Sequence, residues 1–381
     1  MNARPQYNLL DIIYAPARAL SAKQILIMTL ALTAGLLVFD FFRYLAYLEQ
    51  GENLGLIFSL YGFFPFDSPA RGTLLARLLY AVGVGGGIFT VMLGLFAVSS
   101  LHVEAIRGNP FMSMARALRF ARSRVKQMFL SELAVVLFVV FIVALFALLG
   151  LITRIPVLGD LLFVLFFAIP NFIIALFAVF IVFVLSLSIL VLPAVAAAER
   201  HGESFGAILE TFSTIIRQPA RWLGYTAVGG VLAKVCSFVY AYFAFRAVQF
   251  MLWSAAIGGG DHQERLIRAG LSHLPTDSRL VDYVCNVFPR VNWSFSIDRW
   301  GGGGDAGIAG HLMSVMLFLI FTTIIGYALA VMASAQVYTY VAIRRLKDNH
   351  DLATEKPLFF EDEHVNPEIN PEAGESPSGS N

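Results

Sequence analysis

Six stretches of this chain are apolar for about twenty residues or more, the length that one helix needs to cross a hydrocarbon core of about 30 Å. They run roughly over 25–46, 74–99, 131–152, 170–193, 222–245 and 312–342. Composition agrees with that reading. The chain is 58% hydrophobic and 14% charged, against about 25% charged in an ordinary soluble domain. Too little polar surface remains to cover a water-soluble globule. The expected fold is all-α: a polytopic membrane helix bundle of six transmembrane helices, with interfacial amphipathic helices on the cytoplasmic side.

Charge placement orients the bundle. Basic residues gather before the first run (Arg4, Arg18, Lys23), between the second and third (Arg107 to Lys126), between the fourth and fifth (Arg200, Arg217, Arg221) and after the sixth (Arg344, Arg345, Lys347). With six crossings all four segments fall on one side, which makes both termini cytoplasmic by the excess of Lys and Arg on that side. The expectation is a multi-pass membrane protein. No cleavable signal peptide is expected, because the first 23 residues lack a continuous apolar core and a cleavage site. Cys236 and Cys285 form no CxxC pair, and a bridge between an apolar run and a polar loop is not expected.

The domain plan that follows has an N-terminal interfacial segment over 1–23, a six-helix domain over 24–349 and an acidic tail over 350–381. That tail ends PEINPEAGESPSGSN and reads as disordered. An outer loop over 250–310 carries glycine hinges and is expected to pack one or two short helices on the bundle. Its Asn292-Trp-Ser triplet fits a glycosylation acceptor, a pattern common by chance. Pro170 divides the long apolar stretch 161–193, so 161–169 reads as a short interfacial or re-entrant piece. Pro193 is expected to help end the fourth helix.

Between the fourth and fifth runs stands SFGAILETFSTIIRQP. At 3.6 residues per turn Ile208, Leu209, Phe212, Ile215 and Ile216 share a face, opposite Glu210, Ser213, Thr214 and Arg217. Ser204 suits the N-cap, and Pro219 lets the chain turn inward. This is the pattern of a helix lying in the membrane interface. The segment around 112–128 repeats it: Met114, Leu118, Ala121, Val125 and Met128 form a stripe opposite Arg116, Arg119, Arg122, Arg124 and Lys126. A third candidate, LLDIIYAPARALSAK, is broken at Pro16. A hairpin followed by an interfacial helix therefore occurs twice, as an internal repeat or as two independent basic loops at one membrane surface.

The run LPAVAAAERHGESFGAILETFSTIIRQPARWLGY resembles a pattern in uncharacterised six-helix bacterial membrane proteins of planctomycete type. The residues that carry it are Pro193, Glu199, Phe205, Ala207, Ile208, Phe212, Ser213 and Pro219, supported by LDIIYAPARAL, ARALRFA, IPVLGD and YVAIRRLKD. More distantly the chain is similar to the membrane domain of some glycerophosphodiester phosphodiesterases. The resemblance implies a fold and a location, a bacterial inner membrane, and transfers no functional residue. Ala220 stands where that pattern often has an aromatic.

Ionisable residues inside apolar runs come next, since each costs at least about 2.5 kcal/mol at a helix centre. Asp40 and Lys234 are the candidate intramembrane polar pair, read as a clamp between two helices, as a lysine that snorkels, or as an ion or substrate relay. Arg246, Gln249 and Trp253 read as outer anchors closing the fifth helix, and Glu132 as a first-turn charge of the third. The small-residue runs VGVGGG (82–87) and AVGGV (227–231) allow close helix approach.

No P-loop, HExxH or paired metal spacing occurs, and no enzyme activity, cofactor or metal is expected. The basic face Arg116, Arg119, Arg122, Arg124 and Lys126 is the candidate surface for anionic lipid or for a cytosolic or membrane protein partner. Nucleic acid is not expected, because the facing stripe is committed to lipid. The leading expectation is a non-enzymatic organiser of lipid or of a partner complex. The runner-up is a permease subunit working with a separate ATPase.

Overall fold

A computed structural model describes residues 5–61, 72–152, 154–155, 158–162, 164, 168–199, 204–259, 265–267, 269–270 and 307–357. Two short helices open it, α1 (Leu9–Ile13) and α2 (Ala15–Ala19). Then come α3 (Ala22–Glu49), α4 (Leu54–Tyr61), α5 (Leu74–Ile106), α6 (Met114–Ser123) and α7 (Val125–Ile152). They are followed by α8 (Leu158–Leu162), α9 (Ala168–Ala198), α10 (Ser204–Arg217), α11 (Pro219–Gly259) and α12 (Gly307–Asp348), with a 3-10 turn at Leu352–Thr354. No strand occurs among the described residues, and the fold is an all-α polytopic membrane bundle. By length and composition α3, α5, α7, α11 and α12 can each cross a membrane. The 31-residue α9 matches the remaining run, and its described apolar stretch is Phe172–Phe183.

Small residues set the tightest packing. A Cβ on Gly35 of α3 would stand 2.8 Å from the carbonyl oxygen of Gly87 on α5, and one on Gly94 would stand 2.4 Å from the Cβ of Ala31. The two backbones can lie this close only because side chains are missing, which is how helices associate where lipid removes the hydrophobic drive. The expected role of 82–87 is thus seen at Gly83 and Gly87. In the second run a Cβ on Gly229 would stand 2.7 Å from the Cβ of Ala335, so the missing side chain lets α11 approach α12.

Several boundaries move. Helix α9 does not end at Pro193 but continues to Ala198. A proline removes one backbone bond, yet Val191 to Ala198 are all packed in the core, which holds the segment helical. Pro170 lies in the first turn of α9, where its missing N–H would have no intrahelical partner. Much of the stretch 161–169 lies outside the described residues.

Helix α11 runs past Arg246 and Gln249 to Gly259, so these residues pair with each other at 2.9 Å inside the helix rather than closing it. Of the outer loop, Ile267 and Ala269 are buried and Gly270 packs on Met313. Asn292 and Cys285 lie outside the described residues. Glu132 falls about two turns inside α7, not in its first turn.

The C-terminal segment also departs from expectation at its start. Leu352 is buried in the main core and Asp351 caps the 3-10 turn, so packed structure continues beyond residue 350. Residues 358–381 lie outside the described part.

Candidate functional site

The ends of α5, α9 and α12 meet, and the N-terminal helices and α10 join them, so the segments carrying the basic residues gather at one end of the bundle. The centre of that end is Arg107, the C-cap residue of α5, whose side chain is fully buried. Its Nε and Nη2 donate to Glu355 Oε2 at 3.1 and 2.6 Å, and Nη2 also donates to the carbonyl of Ala198 at 2.7 Å. Its Nη1 lies 3.5 Å from Glu104. One guanidinium therefore ties the close of α5, the close of α9 and the C-terminal segment, using the planar fork that suits arginine to buried carboxylates.

Two further sets of contacts complete the network. On α12, Arg344 lies 3.0 Å from Glu199, and the Tyr340 hydroxyl donates to the same carboxylate at 3.2 Å. Lys347, almost wholly buried, reaches Glu210 at 2.6 Å and Ser213 at 3.3 Å on α10. The N-terminus is held by Asp11, which accepts the backbone N–H of Gln6 and Tyr7 at 2.7 Å each and pairs with Arg18 at 3.1 Å. Arg18 in turn stacks 3.9 Å from the Tyr338 ring.

Tyr7 has φ 60°, a left-handed conformation that is unusual for a bulky residue. Its hydroxyl donates to Asp351, and Arg345 lies 3.9 Å over its ring. Burial, reinforced by the Asp351 carboxylate, pushes the Tyr7 phenol up to about 12 against the pull of Arg345. Burial works against ionised Asp351. The Tyr7 hydroxyl, the Ala353 N–H, Arg345 and His350 outweigh it and hold the carboxyl below its ordinary value.

The two amphipathic helices lie on this end, with their faces turned differently from the sequence expectation. In α10 the protein-facing residues are Ala207, Thr211, Thr214 and Ile215, all buried, while Leu209 and Ile216 are exposed. Thr214 was expected opposite the apolar face, yet it is buried with its hydroxyl donating to the Glu210 carbonyl at 2.8 Å. Small and hydroxyl residues pack on the bundle beside Ile215 and the half-buried Phe212, while Leu209 and Ile216 point away.

In α6, Ser113 caps the first turn, accepting the Arg116 N–H at 3.3 Å. Ala117, Phe120 and Ala121 face inward, so Leu118 lies on the flank, partly exposed. The helix ends at Ser123 and α7 begins at Val125, so the expected single helix over 112–128 is two. Arg119, Arg122 and Lys126 are exposed, whereas Arg116 and Arg124 are half-buried. Arg124 lies 5.4 Å from the Phe120 ring and donates to Gln127 at 3.0 Å, and burial lowers its basicity. Ahead of α6, Lys23 donates to the Met112 carbonyl at 3.1 Å, and Phe111 beside it is 90% exposed.

Asp40 and Lys234 are not brought together. Asp40 is buried on α3, and neither carboxylate oxygen has a hydrogen-bond partner. Lys234 is exposed on α11, a helix that packs chiefly on α12. The charged neighbour of Asp40 is instead Arg43, one turn along α3 and fully buried.

Sequence reasoning counted Arg107, Arg344 and Lys347 only as orienting charges and missed the network they build. The available signal was the presence of acidic residues at helix ends: Glu104 and Arg107 close one helix, and Glu199 follows the end of another. Among the described residues no cluster of His, Cys, Asp and Glu is placed to hold a metal ion. Comparison with protein-family models, curated proteins and solved structures finds no match for this chain.

Proposed function

We propose that this chain is a non-enzymatic protein of a bacterial inner membrane, crossing it six times with both termini cytoplasmic, and that it organises anionic lipid through α6 and α10. The observation that carries the reading is the outward surface of α6, where Arg119 and Arg122 are exposed beside Leu118 and Phe111. Cations next to apolar side chains suit the boundary between headgroups and acyl chains. The Leu209 and Ile216 face of α10 would rest at the same level. Lys347 of the buried ion network holds α10, and the Lys23 bond to the Met112 carbonyl holds the start of α6. A protein partner docking on the same basic face is the other form of this role. The likeness to planctomycete-type six-helix membrane proteins belongs to the proposal and concerns fold and location only.

Each Lys or Arg near an anionic leaflet contributes about 1 kcal/mol, so Arg119, Arg122 and Lys126 together amount to about 3 kcal/mol, or roughly a hundredfold. The test is lipid retention. The full chain is purified from nanodiscs of mixed anionic and zwitterionic lipid, and bound lipid is counted by native mass spectrometry. The triple variant Arg119→Gln, Arg122→Gln, Lys126→Gln should lose anionic enrichment by about that factor while keeping zwitterionic lipid. Unchanged anionic enrichment would refute the proposal.

A further inference from the structure

Lipid attachment at one end of the bundle does not require polar groups inside it, yet the junction of α3, α5 and α12 contains a series of them. Near the network end, His102 of α5 is 3% exposed and meets the Tyr338 ring of α12 edge-on at 6.2 Å between centroids. Both helices end at the same end of the bundle and so run in the same direction. Ser99 lies one turn before His102, and Ser334 one turn before Tyr338, on the corresponding faces. Both serines are buried, and neither hydroxyl has a partner, nor has His102 Nε2. The buried Gln24 at the start of α3 has an unpartnered Oε1 as well.

The series continues along one stripe of α3. Thr29 faces α12, where a Cβ on Gly326 would come 2.8 Å from its hydroxyl oxygen. Thr33, Asp40, Arg43 and Tyr47 follow on the same face at helical spacing. The Thr33 hydroxyl and both Asp40 oxygens are buried without partners. Arg43 keeps Nε and Nη1 unpartnered, donates from Nη2 to the Tyr47 hydroxyl at 3.2 Å, and lies 5.5–5.6 Å from the rings of Phe39, Tyr47 and Tyr80. From Thr29 to Tyr47 this stripe extends about 27 Å at 1.5 Å per residue, close to the roughly 30 Å of a hydrocarbon core.

Polar groups in a membrane span are costly, and unpaired ones more so, so their alignment along one junction calls for a reason. We propose that the α3–α5–α12 junction is a proton pathway, with Asp40 as the carrier in the half away from the ion network and His102 as the carrier beside it. A proton taken up on an Asp40 oxygen passes through the hydroxyls of Thr33, Ser99 and Ser334 and through intervening water. It leaves from the His102 imidazole. Each relay group accepts one proton and releases another, nothing is oxidised or reduced, and the transmembrane proton gradient drives the transfer.

The groups around the carriers favour a proton over a metal cation. Asp40 has Arg43 and Tyr44 of α3 as ionisable neighbours, and Arg43 in turn lies 5.6 Å from the Tyr80 ring of α5. His102 is faced by Arg18 on α2, Lys23 on α3 and Tyr338 on α12. A divalent cation would leave excess positive charge at Asp40 beside Arg43, whereas one proton neutralises it, and Arg18 and Lys23 drive that proton off the His102 imidazole again.

The test reconstitutes the full chain in liposomes with a pH-sensitive dye inside and a potassium diffusion potential across the membrane. The wild type should acidify the lumen faster than empty vesicles. Asp40→Asn and His102→Phe should each slow it by about a hundredfold, the low end of what a positioned proton-transfer group contributes. Lys234→Met, outside the junction, should not. If the first two variants do not fold, Thr33→Val and the wild-type rate in heavy water serve instead, and both should be slower. A wild type no faster than empty vesicles at either polarity overturns the pathway. So do folded Asp40 and His102 variants that conduct like the wild type, or, in their place, an unchanged Thr33→Val together with no solvent isotope effect. Lipid retention is unaffected by any of these results, so the surface role stands or falls separately.

Discussion

Replacing Arg107 with alanine should be the most damaging single change at the network end. The side chain is fully buried and serves three partners at once: Glu355 at 2.6 and 3.1 Å, the Ala198 carbonyl at 2.7 Å and Glu104 at 3.5 Å. Removing one member of a buried ion pair costs about 3–5 kcal/mol, because the remaining charge stays desolvated. Glu104 is only 1% exposed, so its carboxylate would keep that cost.

Glu355 differs, with its side chain 15% exposed on a terminal segment. Glu355→Gln keeps an acceptor and loses only charge assistance, which points to about 1 kcal/mol. Steric trapping in bicelles measures both losses in the full chain. The double variant should lose less than the sum of the singles, by at least about 1 kcal/mol, as expected for residues in one network. A loss below about 1 kcal/mol for Arg107→Ala, or one no larger than that of Glu355→Gln, would refute the idea that the three segments close around this guanidinium.

Glycine packing gives an internal control. Gly35→Ala places a Cβ 2.8 Å from a backbone oxygen and should cost about 1–3 kcal/mol. Gly85→Ala has nothing within 4 Å and should be neutral or stabilise by up to about 1 kcal/mol in the same unfolding assay. The C-terminal segment should respond to pH in two directions. The depressed carboxyl of Asp351 stabilises docking above the ordinary aspartate range and loses that contribution as pH falls through its lowered value. The raised Tyr7 phenol contributes fully below about pH 10 and loses its contribution as pH rises through about 12. A spin label at Lys356 should therefore be immobile at neutral pH and mobilise toward both extremes. Uniform mobility across the range would contradict the Tyr7–Asp351 contact.

The long apolar runs made the helices legible because length alone decides them in a hydrocarbon layer. Local punctuation could be read too: Pro16 opens α2 and Pro219 opens α11. Sequence failed where partners are chosen over distance. Asp40 and Lys234 looked complementary, but lateral packing of helices sets which charges meet, and α11 presents Lys234 outward. Arg107 and Glu355 are 248 residues apart, with no local sign of their pairing.

The faces of α10 were misassigned for a physical reason. The moment of an amphipathic helix marks an apolar side without saying whether lipid or protein lies against it, and here Leu209 and Ile216 point away from the bundle. Pro193 misled because tertiary packing holds a helix through a missing backbone bond.

The depth of two side chains tests the membrane reading most directly. Spin labels replacing Leu118 on α6 and Leu209 on α10, in the full chain reconstituted in bilayers, report immersion through their relative exposure to oxygen and to a water-soluble nickel chelate. Both should read the boundary between headgroups and acyl chains of the same leaflet. A reading at the bilayer centre, in bulk water, or in opposite leaflets for the two sites would contradict the account.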